Sequence, residues 1–132
     1  MGDAAGVTVE GELGAKPNVS LPGGEPPAEL VIHDVSEGSG APVNPGGAVN
    51  AHYVGLGWSS GNQFDASWDR GTPLRLPLGR VIPGWQQGIP GMRPGGRRLL
   101  VIPAELAYGN TPPPGSGIAP GEALVFVIDL VG

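Results

Sequence analysis

The chain of 132 residues has no cysteine, which excludes disulfide scaffolds, thiolate metal sites and cysteine nucleophiles. Cations are scarce: Lys16 and six arginines. No segment gathers them into a basic stripe, so nucleic acid is not an expected partner. Histidine is limited to His33 and His52, which are isolated and lack any partner at metal-ligand spacing, so no metal site is expected. No apolar run approaches the 18 residues that a membrane span needs. The opening Met-Gly-Asp-Ala-Ala is not a charged-then-apolar leader. The default expectation is therefore a cytoplasmic protein. The alternative is an exported one whose signal is absent from this chain. Aromatics are also few, seven in all: Tyr53, Trp58, Phe64, Trp68, Trp85, Tyr108 and Phe126.

What is abundant is glycine and proline, 25 and 16 residues. At that density disorder is a fair suspicion. The second half argues against it, because apolar runs sit between the breakers. Charge is uneven as well. Residues 1–49 hold seven acids and one base, whereas residues 50–132 hold five acids and six arginines. The expected organisation is a flexible or peripherally docked arm over residues 1–26, followed by one compact domain over 27–132.

Within that domain, Leu30–Val35, Ala48–Trp58, Leu74–Leu78, Arg97–Ile102 and Leu124–Val131 read as short strands. Pro77 would confine its strand to an edge or a bulge. Arg97–Ile102 is apolar on both faces toward its end, as a central strand is. Phe64–Gly71 mixes aromatics and charges with no clean period. Asp129, on the last strand, reads as a solvated or strand-edge charge. Between the third and fourth strands lies Gly79–Met92. Pro83 can begin a helix, since its missing N–H is an orphan there in any case. Pro90 ends it about two turns later. Ile82, Trp85, Ile89 and Met92 then share one face. Such a helix is too short to stand alone and must be held by the rest of the chain. The expected fold is α+β: an antiparallel sheet of about five strands wrapped around one short helix.

Five blocks carry a resemblance. Ala-His-Tyr-Val-Gly (51–55), Phe-Asp-Ala-Ser-Trp-Asp-Arg-Gly (64–71), Val-Ile-Pro-Gly-Trp (81–85), Ile-Pro-Ala-Glu-Leu-Ala-Tyr-Gly (102–109) and Leu-Val-Phe-Val-Ile-Asp-Leu (124–130) resemble the FKBP-type peptidyl-prolyl cis–trans isomerases. They occur in the family's order and at nearly its spacing, from about Pro27 onward. Variants such as Ser-Trp-Asp-Arg and Gly-Arg-Arg-Leu resemble bacterial, actinobacterial-like single-domain members. The family fold is a sheet around one short helix, in agreement with the roll read from the pattern.

The resemblance implies a shallow apolar pocket between sheet and helix. By motif, Tyr53, Phe64, Trp85, Tyr108 and Phe126 would line it, with Trp85 as its floor. Val81, Ile82, Leu74 and Ile118 would add walls. Asp65 takes the carboxylate position beside the pocket phenylalanine, and Arg70 matches an arginine that orients that carboxylate and the tyrosine. Leu74 stands where many members have an aromatic. Leu78–Val81 is about two residues shorter than usual, and the loop containing Pro112, Pro113 and Pro114 differs in sequence.

The implied reaction is rotation about X–Pro bonds in polypeptides. The barrier to peptide rotation is roughly 18–20 kcal/mol. Bringing an X–Pro bond from tens of seconds to milliseconds asks for about 6 kcal/mol. No bond forms or breaks, so neither nucleophile, cofactor nor metal is called for. The twisted amide is less polar than the planar one, and an apolar cavity favours it. Family members use the backbone N–H at the position of Ile82 to hold the substrate carbonyl, with Tyr108 O–H as a second donor. These are differential-binding roles, not acid–base ones. Macrolides such as FK506 and rapamycin are the implied inhibitors, and a monomer is expected. The alternative is a non-catalytic FKBP-fold module or chaperone that holds proline-containing segments.

Overall fold

A computed structural model describes residues 2–132 of the protein. Its elements separate into two antiparallel sheets. The first contains β1 (Gly2–Ala4), β2 (Val7–Glu10) and β3 (Asn18–Ser20), in that order. The second contains β4 (Val31–Ser36), β5 (Ala48–Gly57), β6 (Gln63–Ala66), β7 (Leu74–Pro77), β8 (Arg97–Ile102) and β9 (Leu124–Leu130). Its order is β4-β8-β9-β5-β6, with β7 also paired to β5. One helix, α1 (Pro83–Gly88), packs on this sheet.

The main sheet has six strands where the sequence suggests about five. The added one is β6. It shows no alternation because both Phe64 and Asp65 are half-buried at the rim of a cavity. β7 is an edge strand bonded only to β5, so Pro77 is accommodated there. β8 is central between β4 and β9, and all six of its residues are buried.

Period-two alternation divides the main sheet into two apolar faces. Leu100, Ile102, Leu124, Phe126, Ile128 and Leu130 face α1 together with Val49, Ala51 and Tyr53. Val54, Leu56, Leu99, Val101, Val125 and Val127 face the other way. That second face is covered by the lead segment, whose Val7 and Val9 have no exposed surface. In the structure this lead segment forms a three-stranded sheet packed on the back of the main one.

Pro83 is the first helical residue and follows Ile82, whose backbone is extended (φ −59°, ψ 151°). The helix lies close on β8. A Cβ added at Gly84 would come within 2.5 Å of Ile102 Cγ2, so only glycine permits this approach. The far end of α1 is capped from β8. Arg98 donates to the carbonyls of Gly88 at 2.8 Å and Pro90 at 3.1 Å, and pairs with Asp34 at 2.6 Å. Helix C-terminal carbonyls lack intrahelical partners, and a cation there satisfies them.

Asp129 is not a solvated charge. It lies on the face away from α1, buried, and Arg97 holds it through two hydrogen bonds of 2.6 and 2.8 Å. Alternation places it opposite the helix, a face that looks solvent-exposed until the lead segment is laid over it.

Candidate functional site

Strand alternation on β5 and β9 brings Tyr53 and Phe126 to the α1 side of the sheet, against Trp85. The three rings meet edge to face or tilted. Trp85 and Phe126 are 4.9 Å apart at 80°, and Trp85 and Tyr53 are 5.3 Å apart at 75°. Phe64, from β6, meets Phe126 at 5.6 Å and 90°. T-shaped pairs set the positive ring edge against the negative face and fix the rings beyond their area contact. Gly55, between Tyr53 and Leu56 on β5, makes room for this arrangement. A Cβ there would lie 2.7 Å from both Phe126 and Phe64.

The rings enclose a cavity of about 330 Å³. That is the lower end of the range in which small ligands are bound. Phe64, Trp85 and Phe126 line it with Tyr53 and Tyr108; Asp65 is at its edge, and Leu74, Val81 and Ile82 complete walls anticipated from sequence. Two expected neighbours stand outside the lining. Ile118 is half-buried against the same apolar cluster, and Arg70 sits behind the rim. Two lining residues went unpredicted, Leu76 and Arg80. Leu76 was legible, because it lies two residues from Leu74 on one strand and so shares its face. Arg80 carries no such signal.

At the rim Asp65, Arg70 and Tyr53 form a closed network. Arg70 Nη1 donates to Asp65 Oδ1 at 2.6 Å, and Arg70 Nη2 donates to Tyr53 Oη at 3.0 Å. The Tyr53 hydroxyl in turn donates to Asp65 Oδ2. Burial alone would push the Asp65 carboxyl up, but the hydrogen bonds from Tyr53 and Arg70 outweigh it and hold it below its ordinary value. Burial and the neighbouring Asp65 push the Tyr53 hydroxyl up. Asp65 is therefore an anion and Tyr53 a neutral donor through the neutral range. The carboxylate is fully engaged, which leaves it a positioning group rather than a base.

Two donors at the cavity lack an acceptor. Among the described residues, the backbone N–H of Ile82 has no acceptor, and neither does the Tyr108 hydroxyl. Ile82 sits at the N-cap of α1, where the first N–H groups have no intrahelical partner. Its carbonyl is occupied by Trp85 N–H at 3.0 Å and Gln86 N–H at 3.1 Å. Gln86 Nε2 also donates to the Val81 carbonyl at 2.7 Å, which steadies the approach to Ile82. The indole N–H of Trp85 is the one buried side-chain polar atom among the described residues without a partner. His52, by contrast, lies on the opposite face, stacked on Trp68 at 5.1 Å and bonded to Ser67 Oγ at 2.8 Å.

A family model for FKBP-type peptidyl-prolyl cis-trans isomerases matches residues 40–131. The chain belongs to that family. It is 58% identical over 118 residues to an FK506-binding protein of Streptomyces anulatus, covering 88% of this chain and 95% of that one. It is 53% identical over 117 residues to a probable FK506-binding protein of Corynebacterium glutamicum, covering 88% and 97%. Among solved structures, FkpA from Escherichia coli superposes with a TM-score of 0.72 at 41% identity, covering 78% of this chain and 47% of that one. AtFKBP13 superposes at 0.68 and 39% identity, covering 81% and 94%. The roll around α1 is thus the FKBP fold, and no helix in it is long and apolar enough to cross a membrane among the described residues.

Proposed function

We propose that this isomerase turns X–Pro bonds in the cavity between α1 and the main sheet. The observation that carries the reading is the free Ile82 N–H at the edge of an apolar, aromatic cavity. The proline ring rests among Tyr53, Phe64, Trp85 and Phe126, with Trp85 as the floor. Val81 and Leu74 flank it. The carbonyl preceding the proline accepts from Ile82 N–H, and Tyr108 O–H offers a second donor. Water is excluded from the twisting bond, and the polar planar amide loses more solvation there than the twisted one. Interactions that favour the twisted state over the planar one lower the barrier. Asp65 and Arg70 act by fixing Tyr53, without proton transfer.

FK506 and rapamycin occupy the same cavity in this reading and compete with proline segments. The test is acceleration of a proline-limited refolding reaction, with and without rapamycin. The expected result is acceleration that rapamycin abolishes. Well-folded protein giving no acceleration would instead support a holding module. The rate should also be level from about pH 5 to pH 9. Asp65 titrates below its ordinary value and Tyr53 above its own, so neither changes charge in that window. The carboxylate's contribution is lost only as pH falls through the lowered Asp65 value. A bell centred near neutrality would indicate acid–base participation.

A further inference from the structure

The lead segment does more than cover the back of the sheet. Its exposed loop Gly11–Lys16 reaches the short 3₁₀ turn Ser67–Arg70, and that turn ends in the arginine that ties Asp65 to Tyr53. The loop holds the turn at two points. Trp68 Nε1 donates to the Gly14 carbonyl at 3.1 Å, and Lys16 Nζ pairs with Asp69 Oδ1 at 2.8 Å.

The loop is itself fastened from below. Arg97 donates to the carbonyls of Gly11, Glu12 and Ala15 at 3.3, 3.0 and 2.7 Å. Gly14 N–H donates to Asp129 Oδ2 at 2.8 Å. The Arg97 guanidinium also lies 5.9 Å from the Trp68 ring centroid, so the buried pair, the loop and the turn form one stack.

The chemistry of Asp69 gives this contact a consequence. Its Oδ1 is taken by Lys16 and its Oδ2 by Gln63 Nε2, also at 2.8 Å. Both hydrogen bonds lower its pKa, that from Lys16 foremost. Arg70 is the next residue in the chain, and its guanidinium is committed to Asp65 and Tyr53. An Asp69 without Lys16 is a second carboxylate next to Arg70 in the chain, and the Arg70 charge already acts on it. Two carboxylates would then compete for one guanidinium, and a donor turned toward Asp69 is lost to Asp65 or Tyr53.

We propose that the Gly11–Lys16 loop is a positioning element for the isomerase pocket: by anchoring Trp68 and occupying Asp69, it keeps Arg70 on Asp65 and Tyr53. The inference rests on the cavity reading above for its catalytic consequence. The geometry of the turn stands without that reading.

The test uses the full chain carrying Lys16→Ala with Trp68→Phe, which removes both points of hold but keeps an aromatic ring between His52 and Arg97. Titration of the Asp65 side-chain carboxyl by ¹³C NMR reports Arg70 directly and needs no ligand. The acid constant of Asp65 should fall about three- to tenfold as its bond to Arg70 loosens. The kcat/KM for a proline peptide should fall about three- to tenfold with it. Lys16→Arg, which preserves the ion pair, should keep both at wild-type values, a rescue that general destabilisation does not give. Lys16→Ala alone changes an exposed side chain, leaves folding intact and should move Asp65 in the same direction. An Asp65 titration identical in wild type, Lys16→Ala and the double variant would overturn the proposal. Failure of the cavity reading looks different: the wild-type protein itself would give no isomerisation, while the Asp65 titration still decided the role of the loop.

Discussion

Gly55→Ala should lower kcat/KM for a proline peptide by roughly a hundredfold while leaving a folded protein. The added methyl touches neither the substrate nor any ionisable group. It meets Phe126 and Phe64 at 2.7 Å, about 1 Å inside normal carbon–carbon contact. Both rings lie in a T-shaped cluster with Trp85, so they cannot retreat independently. They are forced toward the cavity they line. A displacement near 1 Å in a site that works by shape can cost about a hundredfold in rate. The extended backbone at position 55 accepts alanine without strain, since its φ is not positive. Overpacking of this kind costs about 1–3 kcal/mol of stability, which circular dichroism and thermal melting can separate from the kinetic loss. Kinetics should show lost kcat together with weakened FK506 binding. A variant with wild-type kcat/KM would mean that the rings are not part of the reacting site.

Asp129→Ala should be the most destabilising single change on the opposite face. It strips Arg97 of its only anionic partner among the described residues, at a position with 1% side-chain exposure. Removing one member of a buried ion pair costs about 3–5 kcal/mol, because the other charge is left without compensation. The loop carbonyls of Gly11, Glu12 and Ala15 remain as acceptors but bring no countercharge. Replacing both members by apolar residues, Arg97→Met with Asp129→Leu, should recover much of the loss, as buried pairs elsewhere do. It should not restore the lead segment's hold, since that depends on the guanidinium donors and on Gly14 N–H. Denaturant unfolding of the single and double variants measures the first effect. Amide exchange at Gly14 and Lys16 measures the second. Equal stability of wild type and Asp129→Ala would show that the pair is not structurally important.

These residues also show where sequence reasoning reaches and where it stops. The short helix was legible because Pro83 and Pro90 bracket it. It ends at Gly88, so Ile82 and Ile89 cap it and Met92 lies beyond it, yet Trp85, Ile89 and Met92 are all buried in the same core. Most cavity residues were legible because five motif blocks carry them, and the structure draws those blocks around one space. Asp129 was not legible. Its partner Arg97 lies 32 residues away, and its burial depends on a segment more than a hundred residues earlier. β6 escaped because its Phe64 and Asp65 both serve the cavity rim and so break the alternation that marks a strand. The burial of Val7 and Val9 could not be read from four residues in a Gly/Pro-rich stretch, because it depends on the apolar back face formed by β5, β8 and β9. Local pattern gives faces; which face another segment covers is a long-range fact.

The central claim is that X–Pro rotation takes place against Trp85 and the Ile82 N–H. Exchange NMR on a ¹⁵N-labelled protein with a proline peptide reads binding and turnover in one sample. Cross-peaks between the cis and trans forms of the peptide should appear. The Ile82 amide and Trp85 indole signals should shift with them, and the Gly14 and Arg97 amides should stay in place. Exchange cross-peaks that appear while Ile82 and Trp85 remain unmoved would contradict the account.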